Sequence, residues 1–188
     1  MSSPYLLVLY DSRHGAVAQL AEQIANGSEG AGLTALLRCV GADDQAHQPR
    51  HPVVSLTELA NCRALALGSP VRFGQMTAAM KAFWEQSSSI WLKGQLIDKP
   101  AAVFTSSSSL HGGQEACLLG MMVPLLHHGM LVLGQPYDEP ALHHTQSGGT
   151  PYGPSHVHRQ PDSTLTVDEI TLCQALGARL ARLTRTFA

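Results

Sequence analysis

The sequence predicts an α/β domain, a parallel sheet with helices on both faces. Two observations carry the prediction. Short continuous apolar runs alternate with segments of helical periodicity along the chain; such runs read as central strands covered on both faces. Several runs lead into a polar loop and then a helix, the order from which βα units and a parallel sheet are built. The length of 188 residues, with 44% apolar and 14% charged residues, fits one globular domain over residues 1–188. No internal repeat or interdomain linker interrupts it.

The first strand is Tyr5-Leu6-Leu7-Val8-Leu9-Tyr10. Beyond the loop Asp11-Ser12-Arg13-His14-Gly15, Val17, Leu20, Ala21, Ile24 and Ala25 recur at helical spacing. Asn26, Gly27, Gly30 and Gly32 are read as the end of that helix. Residues 33–40 form the second strand, and the polar stretch 41–52 is irregular. Ser55 and Glu58 make a capping-box pattern that starts a short helix. Residues 64–68 are the third strand, and 76–86 a helix with Met76, Ala79, Met80, Phe83 and Trp84 on one side. The fourth strand is 101–105, followed by a polar loop over 106–113. Residues 114–128 are a mostly apolar helix, kinked or reset at Pro124. The fifth strand is 130–133. Residues 135–164, rich in Gly, Pro and His, form a long loop, and loops of that length are functional or partly structured. The last helix begins at Thr166, where Glu169 completes a second capping box. Leu172, Leu176 and Leu180 run along it, and Arg179, Arg182 and Arg185 fall near its C-terminus, where the helix dipole favours cations.

Charge and cysteine usage exclude several classes. Lys plus Arg is 12 and Asp plus Glu is 14, a net charge of −2, whereas a binder of nucleic-acid backbone is basic. No nucleic-acid partner is expected. Cys39, Cys62, Cys117 and Cys173 lie far apart with no CxxC pair, so they read as reduced intracellular thiols rather than a disulfide framework or zinc ribbon. Met1-Ser2-Ser3-Pro4 lacks the basic and apolar regions of a signal peptide. The expected location is the cytoplasm. Residues 116–134 hold no Lys, Arg, Asp or Glu, but Pro124, His127, His128 and Gly129 interrupt the run. A buried helix, a turn and a buried strand explain it better than a membrane span.

In an open α/β sheet, ligands bind outside the carboxyl ends of the strands. Three loops stand there. The first, Asp11 to Val17, enters a helix whose N-terminal N–H groups can cradle a phosphate, with Ser12 adding a hydroxyl and Gly15 allowing close approach. It also reads as an ordinary βα turn, and is neither a Walker A loop nor a GxGxxG fingerprint. The second, Gly68-Ser69-Pro70-Val71-Arg72-Phe73-Gly74-Gln75, either presents backbone donors and Phe73 to a flat ligand or packs Phe73 in the core beneath a solvated Arg72. The third, Ser106-Ser107-Ser108-Ser109-Leu110-His111-Gly112-Gly113, either offers hydroxyls and amides to a ligand or is a flexible surface loop.

The histidines form no metal pattern. His127-His128 close a helix, adjacent His143-His144 point apart if extended, and His156-x-His158 lacks the Cys or carboxylate partners that complete a site. A serine hydrolase lacks its G-x-S-x-G elbow. Trp91 reads as core packing, or as a stacking residue if the three loops bind a flavin.

Taken together, these residues resemble the flavodoxin-like NAD(P)H:quinone oxidoreductases of the tryptophan-repressor-binding-protein (WrbA) family over nearly the whole chain. The resemblance rests on four segments in order: Gly68 to Gly74; Phe104-Thr105-Ser106 through His111-Gly112-Gly113-Gln114-Glu115; Leu126-His127-His128-Gly129-Met130; and Gly148-Gly149-Thr150-Pro151-Tyr152-Gly153. It implies a flavodoxin-like three-layer sandwich, with a five-stranded sheet in the order 2-1-3-4-5, one FMN per subunit and a homotetramer. Ser12, Arg13, His14, Gly15, Ala16 and Val17 would hold the FMN phosphate, with His14 also meeting the nicotinamide nucleotide. Pro70, Val71, Arg72 and Phe73 would contact the isoalloxazine ring. Ser106, Ser107, Ser108, Ser109, Leu110, His111 and Gly112 would wrap the ring and ribityl side. Trp91 would meet the quinone or nicotinamide near a neighbouring subunit, and His127 would approach the flavin across an interface.

The resemblance implies that FMN takes a hydride from NADH or NADPH and passes two electrons to a quinone, by ping-pong kinetics. An electron carrier and a weak-FMN scaffold are the alternatives. Several residues depart from the family: Asp11 stands beside the phosphate loop where an uncharged or aromatic residue is usual, Val71 replaces Thr, and Gln75 replaces Asn. His158-Arg159-Gln160-Pro161 replaces a small, Gly-containing continuation.

Overall fold

The computed structural model describes residues 3–41, 50–160 and 163–186. The predicted irregular stretch 41–52 falls largely outside them. Four strands run parallel in the order β2 (Thr34–Cys39), β1 (Tyr5–Tyr10), β3 (Ala64–Pro70) and β4 (Pro100–Ser107). The fifth position is shared by two short strands on the same edge of β4. β5 (Leu131–Val132) pairs with Pro100 and Ala101, and β6 (Ser155–Val157) pairs with Thr105 to Ser107. The order 2-1-3-4-5 is thus as the resemblance implied. The single fifth strand is corrected to a split one, and the long loop 135–164 contains β6 and the short helix α6 (Ala141–His144).

Each face of the sheet buries its own core. On one face, Leu6, Val8 and Tyr10 meet α1 (Ala16–Gly30) and α7 (Val167–Thr186). On the other, Leu7, Leu9, Leu65 and Leu67 meet α2 (Leu56–Asn61), α3 (Ala78–Gln86), α4 (Ser88–Leu92) and α5 (Gln114–His127). This is the two-sided burial that continuous apolar strands require. Both capping boxes form. Ser55 and Glu58 exchange bonds at the start of α2. Thr166 N–H donates to Glu169 Oε2 at 2.8 Å, and Glu169 N–H to Thr166 Oγ1 at 3.2 Å.

Several boundaries differ from expectation for identifiable reasons. Of the residues read as the end of the first helix, Gly30 is its last residue, whereas Asn26 and Gly27 lie within it. Gly27 is there because α7 crosses α1 closely: a Cβ on it would lie 2.1 Å from the Gln174 carbonyl oxygen. Ser106 and Ser107 belong to β4 rather than to a loop, because β6 supplies their ladder partners. Trp91 lies on α4, which the sequence reading missed. The 116–134 run is a helix, turn and strand as expected, but only one side of the helix is buried, through Cys117, Leu118, Met121 and Leu125. Leu119, Val123 and Leu126 form an exposed apolar stripe on α5, and β5 is itself partly exposed. Pro124 lies within α5, which continues to His127. No helix among the described residues is long and apolar enough to cross a membrane.

All four cysteines are free and buried. Burial pushes the Cys62 thiol up to about 12 and raises those of Cys39, Cys117 and Cys173. Glu169 anchors the segment that leads into β6. Its carboxylate accepts from Gly148 N–H at 2.9 Å and Ser147 Oγ at 3.1 Å, and pairs with His156 Nδ1 at 2.9 Å. Burial opposes its charge, but the bonds from His156, Thr166 and Gly148 outweigh that and hold its carboxyl below the usual range. His156 is therefore a buried structural partner of Glu169, with its Nε2 3.2 Å from Ser163 Oγ.

Candidate functional site

The loops after β1, β3 and β4 meet at the carboxyl ends of their strands and enclose a cleft of about 350 Å³. From the first loop come Ser12, Arg13, His14, Ala16 and Val17; from the second Pro70, Val71, Arg72 and Phe73; from the third Ser106, Ser107, Ser108, Ser109 and Gly112. His158, just beyond β6, completes the lining.

The first loop presents the N-terminus of α1. Gly15 caps the helix in the left-handed region, φ 86°, with no side-chain cap bond. Ser12 Oγ accepts from Ala18 N–H at a long 3.4 Å. A Cβ on Gly15 would meet no atom within 4 Å, so the space over the helix end is open. Helix N–H groups facing open space at the positive end of the dipole form an anion site.

The second loop is pinned to its neighbours. Val71 N–H donates to Ser106 O at 2.8 Å, and Ser69 Oγ accepts from Thr77 N–H at 3.0 Å. Arg72 and Gln75 exchange both backbone bonds, at 2.8 and 2.9 Å, closing a two-residue turn. Its central residues, Phe73 (φ 50°) and Gly74 (φ 76°), both have positive φ, the signature of a type I′ turn. Asn-Gly is the usual occupant, and a bulky residue in this region is strained. Phe73 is also fully exposed, at 105%. The core-packing reading of Phe73 is thus excluded: a strained backbone holds an aromatic ring out over the cleft, the kind of feature found at ligand clamps. Arg72 folds back so that Nη1 donates to the Val71 carbonyl at 2.9 Å.

The third loop is ordered by its own bonds rather than loose. Ser107 Oγ and Gln114 Nε2 both donate to Ser109 O, at 2.7 Å each, and Gly112 N–H donates to the same carbonyl at 3.2 Å. Gly113 packs so closely on the second loop that a Cβ there would lie 3.1 Å from Gly74 Cα.

Among the described residues no carboxylate lines the cleft, while Arg13, Arg72 and two imidazoles do. Asp11, the family departure beside the first loop, does not line the cleft; its charge is felt by Cys39 on β2. An anion cradle at a helix N-terminus, a displayed aromatic and two flanking polar loops fit FMN, whose phosphate is anionic and whose ring is flat.

Other expected site residues lie elsewhere. Gly15, Leu110 and His111 belong to the cleft loops but do not line it. Trp91 and His127 are also outside the lining, and are brought together instead: Trp91 Nε1 donates to the His127 carbonyl at 2.9 Å, and Trp91 is half exposed rather than core. His158 was missed as a lining residue because β6 was read as loop; the apolar–polar alternation around Val157 is too short to signal a strand alone.

Comparison with known proteins agrees with this geometry. The model of the family described as NADPH-dependent FMN reductase matches residues 10–138. A relative from Chromohalobacter salexigens named NAD(P)H dehydrogenase (quinone) is 37% identical, covering 95% of this chain and 96% of its own. One of the same name from Rhizobium rhizogenes is 34% identical, covering 95% and 96%. Among solved structures, the flavodoxin-type WrbA-like protein of Agrobacterium tumefaciens superposes with a TM-score of 0.72 at 23% identity, over 99% of this chain and 100% of that one. A flavodoxin from the domain Archaea superposes at 0.67 and 21% identity, over 96% and 99%. These structures establish the flavodoxin-like fold. With the cleft in place at the carboxyl ends of β1, β3 and β4, the family match and the full-length relatives make this chain an oxidoreductase of the NADPH-dependent FMN reductase family.

Proposed function

We propose that the chain, as a single domain over residues 1–188, is an FMN-dependent NAD(P)H:quinone oxidoreductase. The cleft is the observation that carries this reading: a helix N-terminus open over its Gly15 cap, a carboxylate-free lining and the exposed ring of Phe73 suit an anionic, planar cofactor. When bound there, FMN supplies the hydride-accepting chemistry that amino-acid side chains lack. Ser12 to Val17 hold its phosphate, while Val71, Arg72 and Phe73 support the ring. The loop from Ser106 to Gly112 closes the other side. Arg72 and the loop N–H groups offset negative charge that develops in the cleft on reduction.

NAD(P)H as donor and a quinone as acceptor follow from the names of the relatives. Both are flat and use one open side of the cleft, so the oxidised nucleotide leaves before the quinone enters, giving ping-pong kinetics. The exposed stripe of Leu119, Val123 and Leu126 supports assembly into a homotetramer, in which Trp91 and His127 approach a neighbouring subunit's cleft. The four free, buried thiols support the reducing cytoplasm as its location.

The test is anaerobic. The protein is loaded with FMN, freed of excess flavin and mixed with NADH or NADPH. Bleaching of the flavin absorption, reversed by benzoquinone, is expected. Retained flavin that neither nucleotide bleaches would overturn the reductase reading in favour of a carrier, and failure to retain flavin would overturn the cofactor assignment.

A further inference from the structure

His158 lines the cleft but belongs to none of the three loops that build it. It follows β6, which pairs with the C-terminal end of β4, at Thr105 to Ser107. β6 also packs against α1. Because α1 follows β1 and runs back along the sheet, the part of it beside the strands' carboxyl ends is its N-terminal portion. His158 is therefore delivered to the side of the cleft where the N-terminus of α1 opens. Its position is fixed twice. Its backbone N–H donates to the Ser107 carbonyl at 2.8 Å. Its ring lies 5.7 Å, centroid to centroid, from His156, which the buried Glu169 clamps at 2.9 Å. Among the described residues, the other charged or titratable groups lining the cleft are Arg13, His14 and Arg72.

We propose that His158 is a further ligand of the FMN phosphate, its imidazolium form strengthening binding as the pH falls. This rests on the reading of the cleft as an FMN site. An imidazole changes charge between about pH 5 and 8, and a charge-assisted bond to phosphate is stronger than a neutral one. FMN affinity in this chain is thereby tied to pH through a residue standing where its WrbA-type resemblance leads one to expect a small side chain.

The experiment is a fluorescence titration of the full chain with FMN and with riboflavin, which lacks the phosphate, at about pH 5.5 and about pH 8. His158→Ala is expected to raise the FMN dissociation constant about tenfold at the lower pH and about twofold at the higher, leaving riboflavin binding unchanged. His158→Gln, which keeps a hydrogen-bond donor without the charge, is expected to match the wild type at the higher pH and to lose affinity at the lower. It also carries the test if the alanine variant fails to fold. The ratio of wild type to variant isolates His158, because His14, Arg13, Arg72 and the phosphate's own titration are common to both proteins. FMN constants within about twofold of wild type in both variants at both pH values would overturn the proposal. So would equal losses for FMN and riboflavin, which would move His158 to the ribityl chain or ring. Wild-type protein that binds neither flavin would overturn the cofactor reading together with this one.

Discussion

Gly177 of α7 sits against Ile24 of α1 so closely that a methyl group on it would lie 2.0 Å from the Ile24 carbonyl oxygen. Gly27 faces the reverse way, onto the backbone of Gln174. The two glycines let the helices pack backbone to backbone over one face of the sheet, behind the strand ends that carry the cleft.

Gly177→Ala should therefore force α1 and α7 apart. Because the obstructing atoms are backbone and cannot rotate away, the expected loss is about 1–3 kcal/mol. A urea denaturation midpoint measured against wild type checks this. A stability equal to wild type would mean the helices slide past one another without cost.

Phe73 should trade stability for function. Its left-handed backbone is strained and its ring buries nothing in the chain. Phe73→Gly removes the strain but adds unfolded-state entropy, so stability is expected to stay within about 1 kcal/mol of wild type. FMN binding should weaken. Thermal melting and a flavin titration on the same sample separate the two effects; a destabilised variant that binds flavin normally would contradict the clamp.

Trp91→Ala should leave the monomer folded, since the ring is half exposed and makes one hydrogen bond, to the His127 carbonyl. Quinone turnover should fall by roughly tenfold or more, the loss of about one stacking contact with its positioning. Sedimentation run beside the assay shows whether dissociation accompanies the loss. Unchanged turnover would remove Trp91 from the reaction.

His128 gives the fold an acid-sensitive point. Ser87 Oγ donates to the Trp84 carbonyl at 2.7 Å, so it accepts at 3.0 Å from His128 Nε2–H. That leaves His128 Nδ1 buried as an acceptor without a hydrogen-bond partner among the described residues. Burial, with His127 adding to it, lowers the pKa of His128 from 6.5. The folded protein thus holds it neutral, while the unfolded chain takes up a proton near the ordinary value. Stability is full above about pH 6.5 and falls as pH drops through and below it. Urea midpoints between about pH 8 and about pH 5 should show this slope, and His128→Gln should flatten it.

Much of this architecture could be read from local chemistry. Continuous apolar runs marked the central strands, and Ser55-Glu58 and Thr166-Glu169 marked helix starts, because both signals are complete within a few residues. The cleft loops were equally visible, since parallel strands dictate where ligands bind. The misreadings share a different cause. Gly27 looks like a stop signal until α7, far away in sequence, is seen to require it. Ser106 and Ser107 look like loop until β6 arrives from the far side of a long insertion. His158 was invisible as a cleft residue for the same reason. Asp11, although next to Ser12 in sequence, does not line the cleft.

The burial of all four thiols has one more consequence. Quinones are electrophiles, and a protein that takes them up repeatedly offers each one a chance to alkylate it. The attacking species is the thiolate. With Cys39, Cys62, Cys117 and Cys173 buried in the cores and their thiols raised by that burial, none of the four offers a thiolate to the quinones of the proposed reaction.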